Sequence, residues 1–326
     1  MGRESKLSRF IVSFQSVGVL TILVILVLMF AIFTPGNTFI GRANIKIMLA
    51  LGSEFMIIAL GVGLLMIAGE FDLSIGSVLA FCALIFTWTI ELGINPFYGT
   101  LITLVCGSLV GMLHGFITVK GKIVSFVTTL GGMMFWRGLT LILSKGTMRP
   151  AQTKEFTAFQ ALTTGKLGGY FPAQGIWFLI VAIVLWAVLH KRRFGNWIFS
   201  TGDNKMAARS MCINTDLVKI VCFMIVSCLC AFAAVIQTTR LAAFSSRVGT
   251  GWELRAIAAA VVGGTSLRGG RGSMVGIFLG ALIIMIIENA LVIARLPYEW
   301  TYMAFGFVIM FSVLLDLVIE KQVQRA

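Results

Sequence analysis

The sequence predicts an all-α membrane protein: a polytopic bundle of about ten transmembrane helices, with short or broken helices and a cytoplasmic coupling helix. Three observations carry this expectation. Of 326 residues, 58% are hydrophobic and 12% are charged, and the mean hydropathy is +0.98. A water-soluble domain has about a quarter of its residues charged, so too little polar surface exists here to cover a water-facing globule. The apolar residues also come in runs of about 20, the length that crosses ~30 Å of hydrocarbon as a helix. Finally, the basic residues sit in short clusters between those runs, as loop charges do. The net charge of +13 is therefore read as loop charge, and nucleic acid is not expected as a partner.

Taken in order, the apolar runs predict spans near 17–33, 45–68, 72–90, 98–118, 123–143, 176–189, 217–238, 254–265, 274–293 and 301–319. Residues 1–16 begin MGRESKLSRF and are expected to be a cytoplasmic N-terminus. The apolar run after them is long for a signal-peptide core and no A-x-A site follows, which favours a retained first span. Lys6 breaks the myristoylation pattern. The span at 254–265 is the weakest. Its core, AIAAAVVGG, is shorter than a bilayer is thick, so it either begins earlier or is a broken helix buried among neighbours. With the N-terminus inside, Lys120/Lys122, Lys191/Arg192/Arg193, Arg268/Arg271 and Lys321/Arg325 all fall inside. That places 190–216 in the cytoplasm and 144–175 outside, with both termini cytoplasmic. The outer loop still carries Lys145, Arg149, Lys154 and Lys166, so the positive-inside bias is incomplete. A crossing at 254–265 keeps both RGGRG and EKQVQR inside and is preferred for that reason. Residues 1–326 are read as one membrane domain.

The cysteines, Cys82, Cys106, Cys212, Cys222, Cys228 and Cys230, mostly lie in apolar runs and form no CxxC pair. They read as small buried hydrophobes rather than as a disulfide or metal framework. No phosphate-binding GxxxxGK[ST] motif occurs, so ATP is not gripped by a P-loop of this chain, and neither HExxH nor GxSxG is present. No cofactor or metal is expected on the chain, and an intramembrane enzyme lacks a nucleophile–base pair.

Few ionisable residues stand in the apolar body: Glu54, Glu70, Asp72, His114, Arg137 and Glu288. A charge at mid-bilayer costs on the order of 2.5–3.5 kcal/mol on insertion scales, so each must face protein, water or an interface. In GEFDLSIGS, Asp72 either caps the next helix or lines a pathway with Glu70 and Ser74. A cap contributes only ~1 kcal/mol, so the break at 69–72 is also expected to see water or to sit near a membrane face. Arg137 is either a structural ion pair or carbonyl contact between spans, or a pathway residue. Glu288, followed by Asn289, either partners a polar group across the bundle or acts in transport. Gly263 and Gly264 suit close helix contact and an unwound pathway segment equally. The stretches EFDLSIGSVLAF at 70–81 and TSLRGGRGSMVGIFLGAL at 265–282 each place Gly-Ser at the start of an apolar run. This hints at an internal repeat, with chance similarity in Gly/Ser-rich membrane sequence as the alternative.

One stretch interrupts the apolar body: HKRRFGNWIFSTGDNKMAARSMCINTDLVK at 190–219. Gly195 is expected to break the chain, and 204–211 reads as a short helix with small Ala207 and Ala208 and with Lys205 and Arg209 four apart. So short a helix cannot hold together alone. It needs a partner surface, either lipid or a cytosolic subunit, and the subunit accounts better for its polarity and length. Gly202, Asn204, Lys205, Ala207, Ala208 and Arg209 are the docking candidates.

These motifs together resemble the membrane permease subunit of bacterial ABC importers of the ribose/xylose/arabinose/galactose class, over about residues 15–320. The matching stretches, in order, are GEFDLSIGS at 69–77, IVSFVTTLGGMMFWRGL at 123–139, FGNWIFSTGDNKMAARSMCI at 194–213 and GWELRAIAAAVVGGTSLRGGRG at 251–272. The resemblance implies a permease, working with a second copy or a related permease, above a cytosolic ATP-binding subunit and below an extracytoplasmic sugar-binding protein. It would sit in lipid in a bacterial inner membrane, with the docking helix at 203–212 transmitting the stroke. The implied cargo is a pentose or hexose, with a nucleoside or furanosyl signalling molecule as the alternative. A gradient-driven carrier is the other transport class, and it would need a paired carboxylate for which Glu54 and Glu288 are the candidates. Four departures from the family pattern stand out. Lys205 and Met206 replace a common acidic pair, Cys212 replaces a Gly, Asn196 replaces an Arg, and Val124-Ser125 replaces a proline pair.

Overall fold

The computed structural model describes residues 2–34, 38–297, 299–301, 303–307 and 310. The helices are α1 (Gly2–Phe33), α2 (Arg42–Ile67), α3 (Ile75–Glu91), α4 (Pro96–Lys120), α5 (Ser125–Ser144), α6 (Thr157–Thr164), α7 (Ala173–Lys191), α8 (Arg193–Asp203), α9 (Lys205–Ser210), α10 (Thr215–Leu241), α11 (Trp252–Val262) and α12 (Met274–Ile293). Four two-residue strands accompany them: β1 (Arg149–Pro150), β2 (Lys166–Leu167), β3 (Phe171–Pro172) and β4 (Ala243–Phe244). β1 pairs with β4 and β2 with β3, both antiparallel.

Six of these helices, α2, α4, α5, α7, α10 and α12, are long and apolar enough to cross a membrane, and the apolar segments at 18–33 and 75–91 are shorter. The protein is thus an all-α membrane protein with little sheet. The span expected at 301–319 lies mostly outside the described residues. α1 starts at Gly2, so the basic N-terminal stretch is helical too.

α2 and α10 are the central helices. Their apolar windows are 67% and 61% buried, against 17% for α5, which is peripheral. Close packing of α10 on α4 follows from the sequence GSLVGMLHG. A Cβ placed on Gly107 would stand 2.6 Å from the Ala231 Cβ, and one on Gly115 would stand 2.8 Å from the Ile220 Cα. Small residues four apart are what let membrane helices pack this closely.

The two ends of the bundle differ. At one end lie the C-termini of α2 and α7, the α4–α5 turn, α8, α9, the start of α10 and the 263–273 loop. The basic clusters at 120–122, 191–193 and 268–271 gather there. At the other end β1 pairs with β4, and Arg149 forms an ion pair with Glu91 at 3.2 Å. The outer loop read from the sequence is therefore built up: α6 and the β2–β3 hairpin occupy much of 157–172.

α11 has 11 residues, roughly 17 Å of helix at 1.5 Å per residue, well short of the bilayer core. The chain nevertheless passes from β4 at one end to Gly270 beside Ile67 at the other. The non-helical 245–251 segment makes up the remaining length, so this passage is a broken one.

Candidate functional site

Two breaks share one design. α2 ends with Gly69 N–H donating to Met66 O at 2.9 Å and Glu70 N–H to Leu65 O at 3.2 Å. α11 ends with Gly264 N–H donating to Val261 O at 2.8 Å and Thr265 N–H to Ala260 O at 2.9 Å. Gly69 and Gly264 take φ values of 81° and 82°. This is the Schellman closure, which needs a left-handed residue and so favours glycine. Each break then leads into a new helix, α3 or α12. The two stretches that look alike in sequence therefore end and restart their helices in the same way.

The first break is held by side chains. Phe71 N–H donates to Ser125 Oγ and Leu73 N–H to Thr129 Oγ1, each at 3.1 Å, fixing the strand-like 70–74 segment to α5. Ser125 thus supplies an acceptor that a proline at this position would lack. Glu70 pairs with Lys219 at the start of α10, and both side chains are largely buried. Asp72 is fully buried, so of the two expectations for the break, water or a position near a membrane face, its own carboxylate does not meet the first. Its Oδ1 accepts from Ser74 N–H at 2.8 Å and from Ser74 Oγ–H at 2.5 Å, while its Oδ2 has no hydrogen-bond partner. It therefore sits two residues ahead of the cap position: Ser74 is the N-cap of α3 and makes no side-chain cap bond itself. The polar chain continues through His114. Trp136 Nε1–H donates to His114 Nε2 at 3.0 Å, so that ring nitrogen is the acceptor. The other nitrogen, Nδ1, lies 3.2 Å from Ser74 Oγ and carries the proton in a neutral ring. Sequence reading noted His114 as an intramembrane ionisable residue without joining it to Ser74 and Asp72. Nothing local ties residues 40 apart.

At the same end, the coupling stretch forms two helices where one was expected. Gly195 lies inside α8, and the chain turns at Arg192 instead, with φ −113° and ψ 154°. Gly195 is needed because a Cβ there would overlap the backbone of Leu189 as α8 folds back on α7. Asn204 separates α8 from α9 and caps α9, its Oδ1 accepting from Met206 N–H at 3.1 Å and Ala207 N–H at 3.0 Å. Lys205 and Arg209 both turn inward on Asp216, at 3.4 Å and 2.6 Å. Ala208 is buried within the chain, so it is not a surface contact of α9. The exposed apolar groups are Met206, Met211 and Trp197, with Ala207 beside them. Met206 stands out in the sequence as a departure from the resembled motif, but it is not among the docking candidates read there.

The end of α8 meets both breaks through backbone. Gly270 N–H donates to Ile67 O at 2.9 Å. A Cβ on Gly202 would overlap Ile67 O and stand 2.6 Å from Gly270 N. A Cβ on Gly269 would stand 2.7 Å from Gly69 Cα, and one on Gly270 would stand 2.6 Å from Asp203 Cα. Three chain segments thus cross at a glycine joint with no side chain between them.

The remaining candidates are bonded elsewhere. Arg137 donates to the carbonyls of Ser246 and, at 3.1 Å, of Val248, pinning the unwound 245–251 segment to α5. Gly263 packs on α12, where its Cβ would stand 2.8 Å from Ile277 Cα. Glu288 accepts from Arg255 at 2.7 Å, and Asn289 exchanges two 2.9 Å hydrogen bonds with Asn44. Glu54 takes both guanidinium bonds of Arg240, at 2.7 Å and 3.0 Å. The two carboxylates that a gradient-driven carrier would need are thus each bonded to an arginine, not to each other.

The family model described as "Branched-chain amino acid transport system / permease component" matches residues 44–313. The ribose import permease protein RbsC of Haemophilus influenzae is 34% identical over 315 residues, 95% of either chain. RbsC of Escherichia coli K12 is 31% identical over 299 residues, 91% of this chain and 92% of that protein. The autoinducer 2 import system permease protein LsrC of Photorhabdus luminescens is 33% identical over 265 residues, 80% of this chain and 78% of that protein. No solved structure matches. These proteins are transport components, and the chain matches them from the first break through the glycine joint; it belongs to this family of multi-pass membrane permeases.

Proposed function

We propose that this chain is the membrane-spanning subunit of an ATP-driven importer for a pentose- or hexose-sized sugar. The observation that carries this reading is its near full-length similarity to two ribose import permeases. In this reading the chain crosses a bacterial inner membrane about ten times, with both termini in the cytoplasm, and binds no cofactor itself. It pairs with a second permease. An extracytoplasmic binding protein delivers the sugar at the α6 end, and a cytosolic ATP-binding subunit docks on α8 and α9. Movement of α8 reaches both breaks through the glycine joint, and Glu70, Asp72, Ser74, Arg137, Gly263, Gly264 and Glu288 hold the elements that border the path.

The test is uptake in proteoliposomes that contain the permease with its ATP-binding subunit and its binding protein. Ribose should accumulate with ATP, and a branched-chain amino acid should not. The reverse result would reassign the cargo. Accumulation by the permease alone, without ATP and driven by an imposed ion gradient, would overturn the ATP-driven reading. The docking surface has its own test. Met206→Asp with Met211→Asp should release the ATP-binding subunit on gel filtration while the permease stays monodisperse.

A further inference from the structure

We propose a binding site for an anionic phospholipid, phosphatidylglycerol in type, at the end of the bundle opposite the glycine joint. A cavity of ≈ 440 Å³ opens there, with Lys46, Lys154, Lys166, Gln160 and Gln174 among its lining residues. These lysines come from separate elements: the first turns of α2, the segment before α6, and β2. Among the described residues none of the three pairs with a carboxylate; Arg240, also in the wall, is already bound to Glu54. Two of them, Lys154 and Lys166, are among the residues that leave the positive-inside bias incomplete. Their charge has a local use if it faces an anion at the membrane surface.

A second observation points to the rest of the ligand. Gln174 is 2% exposed and lines this cavity, yet its Oε1 has no hydrogen-bond partner. A buried amide oxygen left unpaired is costly, and it calls for a hydroxyl donor. Phosphate charge together with a free hydroxyl is the chemistry of a glycerol headgroup. Directly alongside, sharing Lys46, runs an almost wholly apolar groove lined by Ile45, Leu49, Tyr170 and Phe171. Lys46 Nζ lies 4.8 Å from the Tyr170 ring centroid, at the seam between the two. A polar basic cavity joined to an apolar groove matches a headgroup joined to an acyl chain. A free phosphate or a sugar would leave the groove empty.

The site is tested by native mass spectrometry of the purified permease from micelles containing phosphatidylglycerol, phosphatidic acid or phosphatidylcholine. Phosphatidylglycerol should be retained in preference to phosphatidylcholine. Lys46→Gln/Lys154→Gln/Lys166→Gln should weaken it by roughly a hundredfold, at about fivefold per lysine, while Lys120→Gln/Lys122→Gln should not. Gln174→Leu should erase the preference for phosphatidylglycerol over phosphatidic acid and leave phosphatidic acid bound. Equal retention of phosphatidylglycerol by the triple variant and the unaltered protein would overturn the site. So would displacement of the lipid by millimolar inorganic phosphate, which would mark a simple anion site, or loss only when an acidic binding protein is added, which would mark a protein-docking face.

Discussion

The two breaks close their preceding helices with the same pair of backbone hydrogen bonds, yet they are held in place by opposite means. The first, between α2 and α3, is gripped by side chains from three helices: Ser125 and Thr129 of α5, His114 of α4 and Lys219 of α10. The second, between α11 and α12, is held by shape. Gly263 lies against Gly276 of α12, Gly269 against Gly69, and Gly270 against Asp203. Its polar bonds come largely from backbone groups: Gly270 N–H donates to Ile67 O at 2.9 Å, Arg268 N–H to Ser266 Oγ at 3.2 Å, Gly276 N–H to Ser273 Oγ at 2.9 Å and Met274 N–H to His190 Nε2 at 3.2 Å. A break fastened by buried polar bonds has one low-energy position, because any shift leaves donors and charges unmatched in a dry interior. A break fitted by glycine surfaces can slide as a unit with whatever presses on it. On the reading proposed above, movement of α8 would therefore shift the second break more readily than the first.

The difference can be broken most severely at Lys219. Replacing it with Leu leaves Glu70 buried and unpaired, and should cost about 3–5 kcal/mol. Glu70→Leu/Lys219→Leu should regain most of that, whereas Arg271→Ala in the exposed part of the second break should stay within about 0.5 kcal/mol. Denaturant titration in micelles measures all three. Comparable losses at Lys219 and Arg271 would mean that the breaks are held alike.

Next comes Gly202→Ala, which inserts a methyl between backbones at the joint. The expected cost is up to about 3 kcal/mol, together with loss of uptake while the ATP-binding subunit remains bound. A variant that transports normally would show that α8 does not act through this crossing. Thr129→Val is milder. It removes the acceptor for Leu73 N–H and should cost about 1–3 kcal/mol, and the uptake-to-hydrolysis ratio of the folded fraction should be unchanged. The smallest effect is a gain. Cys212 takes φ 59°, so Cys212→Gly should stabilise the α9 end by about 1 kcal/mol, read as a rise in melting temperature.

Much of the architecture is visible in the sequence because it follows local rules. Runs near 45–68, 98–118 and 217–238 give α2, α4 and α10 to within a few residues, since length and hydropathy alone decide such helices. Glycine at 69 and 264 marks both breaks. What stays hidden is pairing across distance. Glu70 and Lys219 are 149 residues apart, and no periodicity links them. Asp72 looks like a helix cap from its nearest neighbours, and one of them, Ser74, does bond it, while the His114 ring behind Ser74 arrives from α4. Asn204 misled in a different way. It begins a helix as expected, but FGNWIFSTGD ahead of it is a second helix, hidden by a glycine whose task is close packing on α7 rather than interruption. Ala208 reads from the sequence as a docking residue because six residues are too few to show which face of α9 is inward.

The glycine joint bears on how such permeases diversify. No side chain takes part where the three segments cross, so the joint holds no chemistry that a change of partner could upset. The neighbouring surface can then be rewritten freely, as Lys205 and Met206 illustrate in place of an acidic pair, while transmission is inherited intact. If α8 and α9 dock the energy-supplying subunit as proposed, selection on partner choice and selection on the transport stroke act on different residues, and a lineage could exchange that subunit without rebuilding its membrane machinery.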